Sequence, residues 1–120
     1  MTIFPETTLR DLRKVLELKI RTERHPNCAV TIWVVVAGED AFVRSWAGTK
    51  GRWYRDLGAG GPATLEYNGN RLPVQAFPAS DPQSVARASA AFQGKYRQSS
   101  HAGDMVRPEI LSTTLRLEPR

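Results

Sequence analysis

The 120-residue sequence predicts a small β-barrel of the α+β class, with six mostly antiparallel strands and three inserted helices. Three observations lead to this prediction. Apolar and polar residues alternate over several short segments, which is typical of strands with one solvated face. Turn residues separate these segments at hairpin spacing, above all Asn68-Gly69. Strand and helix patterns do not alternate in the rhythm of a parallel α/β sheet.

The first part of the chain predicts a helix followed by a strand. Thr8 is the expected N-cap, with Asp11 in the capping-box position three residues later. An apolar stripe at helical spacing follows: Leu9, Leu12, Val15 and Leu16. From Leu18 to Thr22 the period changes to two, which predicts a strand with one solvated face. The proline-containing segment Arg24-His25-Pro26-Asn27 is predicted to be a loop.

The middle of the chain predicts two hairpins joined by a short helix. Val30–Val36 is nearly all apolar and β-branched, which is typical of a strand covered on both faces. Ala41–Ser45 is expected to pair with it, and Arg52–Leu57 is expected to form the helix. The second hairpin consists of Ala63–Tyr67 and Arg71–Phe77, because the Asn-Gly pair between them favours a tight turn.

The last third of the chain predicts the longest helix and a final strand. The helix is expected over residues 82–98, because Ser80-Asp81-Pro82 is typical of a helix start. Its apolar face is expected to pack on the barrel and contains Val85, Phe92 and Tyr96. Ser112–Glu118 alternates as a strand. Since no repeat or linker interrupts the pattern, residues 1–120 are predicted to form a single domain.

The composition favours an anionic partner and an intracellular setting. The net charge is +5, which suits phosphate, carboxylate, nucleic acid or an acidic membrane surface, although the basic residues are spread out and equally fit a solvated surface. The single cysteine, Cys28, excludes an internal disulfide and a cysteine-rich zinc site. There is no signal-peptide pattern and no membrane-length apolar run, so we expect a cytoplasmic protein without a membrane partner.

A strand end, a cationic glycine-containing loop and an aromatic helix start follow each other between residues 43 and 57. This order is typical of a cradle for an anionic, flat ligand. Arg44 is expected to grip a phosphate or carboxylate in bidentate fashion. The predicted site combines an anion anchor (Arg44, Ser45, Thr49 and Lys50) with an aromatic wall (Trp46, Trp53 and Tyr54). The alternative is an exposed loop with structural tryptophans, in which Trp53 lies in the core behind the helix.

The sequence predicts no catalytic side chain and no metal site. His25 and His101 are the two histidines, and neither lies at ligand spacing to the other or to a carboxylate cluster. Cys28 has no activator nearby in sequence except His25. A phosphate loop, a dinucleotide fingerprint and a serine elbow are absent from the sequence. Any enzymatic activity is therefore expected to depend on a bound organic cofactor.

Four segments carry a family resemblance: Ile32-Trp33-Val34-Val35, Val43-Arg44-Ser45, Gly51-Arg52-Trp53-Tyr54-Arg55 and Thr113-Thr114-Leu115-Arg116-Leu117-Glu118-Pro119-Arg120. With them the chain resembles the split-barrel flavin-binding superfamily, which includes pyridoxamine phosphate oxidase-like proteins and deazaflavin-dependent nitroreductases. Over nearly its whole length it looks most like an uncharacterised bacterial family within that superfamily.

The nitroreductase branch shows both matches and departures. In that branch, a strand ending in serine and a glycine-containing loop lead to a Trp-Tyr-x-Asn-Leu helix. Here Ser45, Gly48 and Trp53-Tyr54-Arg55-Asp56-Leu57 follow in that order, with Asp56 in place of the asparagine. The branch also carries a Gly-Arg-Lys-Ser-Gly type phosphate-binding loop before its second strand, where this chain has Arg24-His25-Pro26-Asn27.

The resemblance implies a six-stranded split barrel that forms a homodimer with ligand clefts at its interface. It also implies an anionic cofactor of the flavin type, FMN or the deazaflavin coenzyme, and a nitroreductase-like oxidoreductase activity on an unidentified substrate. The alternative is a non-catalytic binding or regulatory module for an anionic metabolite or single-stranded nucleic acid. The nucleic-acid version is disfavoured, because the basic residues do not concentrate on one strand face.

Overall fold

The computed structural model describes residues 2–120, and in this range seven strands form one antiparallel sheet. The strands are β1 (Leu18–Thr22), β2 (Val30–Ile32), β3 (Val34–Ala37), β4 (Asp40–Val43), β5 (Gly61–Tyr67), β6 (Asn70–Pro78) and β7 (Leu115–Pro119). The helices are α1 (Glu6–Lys14), α2 (Arg52–Leu57) and α3 (Pro82–Lys95), with 3₁₀ turns over Gly48–Lys50, Ala102–Val106 and Pro108–Thr113. The predicted α+β class and antiparallel barrel are confirmed.

The sheet closes on itself almost completely because its two edge strands are neighbours in the chain. The strand order is β2-β1-β5-β6-β7-β4-β3, and only Trp33 separates β2 from β3. The single strand predicted over Val30–Val36 is therefore broken: its first half pairs with β1 and its second half with β4. A chain that leaves one sheet edge and joins the other curls the sheet into a barrel. This break also explains why seven strands occur where six were predicted.

The end of α3 stabilises the break at Trp33. The Trp33 and Tyr96 rings stack with their centroids 3.8 Å apart and their planes 6° apart. The Tyr96 hydroxyl donates to the carbonyl oxygen of Val34 at 3.3 Å, and Lys95 Nζ donates to the same oxygen at 2.6 Å. Burial lowers the pKa of Lys95 to about 8. The backbone just after the break is thus tied to a helix that comes some 60 residues later.

Two apolar cores hold the elements together. The first fills the barrel, where the inward faces of the strands meet α1 and α2 through Leu9, Leu12 and Trp53. The second lies outside the barrel, between the sheet and α3, and contains Val35, Phe42, Ala88, Phe92 and Tyr96. The predicted packing of the long helix through Phe92 and Tyr96 is confirmed, whereas Val85 is only half-buried.

Local signals placed most element boundaries within a few residues. Asn68 and Gly69 have φ values of 50° and 76°, as expected for the tight turn between β5 and β6. Asp81 caps α3 by accepting a hydrogen bond from the backbone N–H of Ser84 at 3.0 Å. The predicted cap at Thr8 is wrong: α1 begins at Glu6, because Pro5 fixes the backbone just before the first turn. Within residues 2–120, no helix is both long enough and apolar enough to cross a bilayer.

We expect Tyr96→Phe to lower the free energy of unfolding by about 1–3 kcal/mol, because the carbonyl oxygens of Leu16 and Val34 lose a buried donor. Urea unfolding measures this loss. Tyr54→Phe is the matched control, since the Tyr54 hydroxyl makes one exposed hydrogen bond of 3.4 Å, and we expect a loss of less than about 0.5 kcal/mol. Equal losses in the two variants would contradict this account of the break.

Candidate functional site

A cleft of about 950 Å³ opens beside the break at Trp33. One wall comes from residues 27–33 at the start of β2, and the other comes from the segment between Arg44 and Trp53. All three tryptophans of the chain line it: Trp33, Trp46 and Trp53. This volume and apolar lining are typical of a site for a small organic ligand.

Two of the three indoles have a described ring-face partner. Trp33 stacks on Tyr96, and the guanidinium of Arg107 lies 5.4 Å from the ring centroid of Trp46. The Trp46 side chain is nevertheless 62% exposed. Both residues line the cleft, so each offers aromatic surface to a planar ligand there. Trp53 is 5% exposed and belongs to the barrel core, so it contributes little surface to the cleft.

Ser45 is the unsatisfied polar group of the cleft. Its backbone N–H donates to Thr113 Oγ1 at 3.0 Å, which holds the residue at the end of β4. Its hydroxyl is buried and has no hydrogen-bond partner among the described residues. An ideal Cβ at Gly51 would lie only 2.5 Å from this hydroxyl, so only glycine lets the backbone approach it this closely. A buried hydroxyl without a partner costs about 1–3 kcal/mol, which a ligand that bonds to it would recover.

Arg44 is already coordinated by the protein. Its guanidinium is 1% exposed and donates four hydrogen bonds of 2.8–2.9 Å, whose acceptors are Thr114 Oγ1, Ser89 Oγ and the carbonyl oxygens of Met105 and Val85. A guanidinium has five N–H groups. One is left over, which is too few for the bidentate grip on a ligand that the sequence analysis expected of Arg44.

Arg44 and Ser45 are the buried polar residues of the lining, and together they form the floor of the cleft. Arg44 is one of the lining residues, and no ion pair among the described residues involves it. One face of the guanidinium lies over the Phe92 ring, 5.3 Å from its centroid. Burial lowers the pKa of Arg44 to about 10, so it remains positively charged at neutral pH. The lining therefore includes a buried arginine whose guanidinium has only neutral hydrogen-bond acceptors among the described residues.

The other expected site residues lie apart from the cleft. Thr49 and Lys50 are exposed on the 3₁₀ turn before α2 and do not line it. Tyr54 is half-buried, and its hydroxyl donates to the carbonyl oxygen of Ser112 at 3.4 Å. The structure thus brings together four of the seven expected residues: Arg44, Ser45, Trp46 and Trp53.

Several residues that line the cleft were not predicted from the sequence to belong to the site. The apolar run around Trp33 indicated a fully covered strand, and only the break exposes its indole to the cleft. Arg52 is exposed at the mouth, where its Nη1 donates to Cys28 Sγ at 3.6 Å. His101 lies on the rim, with Nδ1 3.2 Å from Asp104 Oδ2. Hydrogen bonds to the Asp104 carboxylate hold its pKa below the usual value; the bond from the Trp46 indole has the larger effect and the bond from His101 the smaller.

Two departures from the nitroreductase pattern contact each other. His25 Nδ1 lies 2.6 Å from Asp56 Oδ2, and the Thr22 hydroxyl donates to the same oxygen at 2.7 Å. Although burial opposes ionisation, these hydrogen bonds keep the pKa of Asp56 below its usual value. The loop that stands where that pattern has a phosphate-binding loop is therefore fastened to α2, and its continuation, Asn27 and Cys28, forms part of the cleft wall.

Residues 8–117 match the profile of a family described as "Uncharacterized protein conserved in bacteria (DUF2255)". The chain belongs to this family. No curated protein matches the sequence. The prediction of an uncharacterised bacterial family is thereby confirmed, and the description of this family names no activity.

Two solved structures show the same fold. One is the conserved hypothetical protein Rv2991 from Mycobacterium tuberculosis, which is 11% identical, with a TM-score of 0.61, 97% of this chain covered and 79% of that chain. The other is HutZ, the heme storage protein from Vibrio cholerae, which is 14% identical, with a TM-score of 0.63, 100% of this chain covered and 92% of that chain. Both have the split-barrel fold, and at these identities the likeness extends to the fold alone.

We expect Arg44→Met to lower the free energy of unfolding by about 3 kcal/mol or more, because four buried or partly buried hydrogen bonds lose their donor. Arg44→Lys should fall between this variant and wild type, since an ammonium has three donors. Arg97→Met, at an exposed arginine, is the control, with an expected change within about 0.5 kcal/mol. Denaturant unfolding ranks the variants, and a wild-type midpoint for Arg44→Met would refute the structural role of Arg44.

Proposed function

We propose that this protein binds a planar aromatic cofactor of the flavin type, FMN or the deazaflavin coenzyme, in the tryptophan-lined cleft. The observation that carries the proposal is the pairing of two indoles, Trp33 and Trp46, with the unpartnered hydroxyl of Ser45. Flat rings select a flat ligand, and a buried hydroxyl selects a ligand with a polar edge.

The residues of the cleft meet the needs of such a ligand. A flavin requires an apolar or aromatic wall, a hydrogen-bonding group for its polar ring edge and a cation for its phosphate. Trp33 and Trp46 provide the wall, and Ser45 provides the hydrogen bond. Arg52, exposed at the mouth, takes the anchoring role that the sequence analysis gave to Arg44, Thr49 and Lys50. When bound, the cofactor supplies hydride chemistry, so an oxidoreductase needs no acid or base from the chain.

Heme is a second candidate because of His101. Its Nδ1 is held by Asp104, which leaves Nε2 available at the rim of the cleft. A histidine oriented in this way by a carboxylate is suited to bind iron. The structural neighbour HutZ is described as a heme storage protein. Hemin binding that shifts the Soret band in wild type, but not in His101→Ala, would favour this candidate over a flavin.

We expect FMN to quench the intrinsic fluorescence with a Kd in the micromolar range, since all three tryptophans line the cleft. Gly51→Ala should weaken binding about 10-fold or more, because the added methyl group would lie 2.5 Å from Ser45 Oγ and must displace this hydroxyl. Gly103→Ala is the matched control, since a Cβ there meets nothing within 4 Å. The deazaflavin coenzyme is titrated in parallel. Binding of neither cofactor below about 1 mM, or tight binding that Gly51→Ala leaves unchanged, would exclude the site.

We also propose that a second copy of the chain covers the rim of the cleft. Trp46 is 62% exposed and Leu16 is 61% exposed, and Leu16 directly precedes Glu17 in the cleft lining. Sedimentation at micromolar concentration should show a dimer, and Leu16→Lys should shift it toward monomer. Ile3→Lys, at an apolar residue 41% exposed and outside the cleft, should leave the dimer intact. A monomeric wild type would rule out this assembly.

A further inference from the structure

We propose that the floor of the cleft is an anion site, which receives an ionised oxygen conjugated to the ring of the planar ligand: a carboxylate, a phenolate or an enolate. This inference rests on the proposed function, that a planar ligand binds in the cleft, and states in addition that the inner edge of this ligand is negatively charged. The ligand would then enter the cleft with an anionic group first. A phosphate, where the ligand has one, would be a second anionic group and would stay at the mouth.

The floor offers a donor and a charge in neighbouring residues. The Ser45 hydroxyl is buried and without a partner among the described residues, and the Gly51 backbone packs closely against it. Arg44, the preceding residue, also lines the cleft. Each of its four acceptors is a hydroxyl or carbonyl oxygen, so the guanidinium charge is solvated by dipoles but not neutralised.

A buried cation without a counter-ion attracts an anion strongly. Where water is excluded, charges interact far more strongly than in solution. An anionic oxygen at Ser45 would gain this attraction together with a charge-assisted hydrogen bond from the hydroxyl. A merely apolar cleft acts in the opposite sense, because loss of water favours the uncharged form of a ligand. The ionisation of a bound probe therefore reports which of the two effects prevails.

The remaining charges of the cleft lie nearer to solvent. Glu17 and Arg52 are exposed and of opposite sign, and the side chain of His101 is 74% exposed beside Asp104. Water and salt screen exposed charges of this kind. The buried charge of Arg44 is thus the main electrostatic influence on the inner end of a ligand.

The probe for this inference is 7-hydroxycoumarin, a planar ring whose phenol and phenolate forms differ in absorption. With the protein in saturating excess, we expect the bound probe to ionise at least about one pH unit lower than the free probe, a preference of about 10-fold for the phenolate. Ser45→Ala should reduce this preference while leaving the probe bound. Ser112→Ala, at an exposed serine outside the cleft, is the matched control and should behave as wild type.

The outcomes separate this inference from the function on which it rests. If the coumarin quenches the tryptophan fluorescence but ionises at the same pH as the free probe or at a higher one, the anion site is excluded and planar binding stands. If neither coumarin nor FMN quenches at millimolar concentration, the cleft is not a ligand site and both proposals fail. Arg44→Lys, tested where its circular dichroism is native, should keep the lowered ionisation because it keeps the charge.

Discussion

One buried guanidinium fixes how the outer half of the molecule is arranged. Arg44 stands at the end of β4, and its hydrogen bonds reach α3 twice, the 3₁₀ turn at Met105 and Thr114 just before β7. A charge removed from water must be surrounded by polar groups, so these segments have to converge on it. Their convergence also places Ser45, the next residue, with its backbone bound to Thr113 and its hydroxyl buried at the floor of the cleft.

The closure of the barrel and the opening of the cleft have the same origin. The chain breaks at Trp33 so that β2 and β3 can join opposite edges of the sheet. The residue in the break stacks its indole on Tyr96 and lines the cleft. The contact that holds the barrel closed therefore also positions an aromatic wall of the candidate site, which links stability to ligand binding.

The elements that sequence patterns predicted well are those that depend on neighbouring residues. The Asn68-Gly69 turn, the helix start at Asp81-Pro82 and the helix Arg52–Leu57 all rest on interactions within a few positions. The break at Trp33 could not be predicted in this way, because it depends on α3. An apolar, β-branched run has the same pattern whether it is one strand or two.

The candidate site was predictable only in part, for the same reason. Ser45 and Trp46 follow a strand end, which is a local signal. Arg44 gives the same signal, but the acceptors of its hydrogen bonds lie 41–70 residues further along the chain. Only the folded structure therefore shows that its guanidinium is already hydrogen-bonded within the protein. His101 and Cys28 enter the cleft from loops with no pattern of their own. The contact between His25 and Asp56 likewise joins two departures that look unrelated in the sequence.

The central claim is that Arg44 is a permanently buried charge at the floor of a ligand cleft. Solution NMR of the Arg44 Nε–H group tests this claim most directly, with its resonance assigned by its absence in Arg44→Lys. The account predicts slow exchange of this hydrogen with water in the free protein, because it is bonded to Thr114 Oγ1 at 2.8 Å, and a change in its chemical shift when a planar ligand binds. Exchange as fast as that of the exposed arginines, with no response to any ligand that quenches the tryptophans, would contradict it.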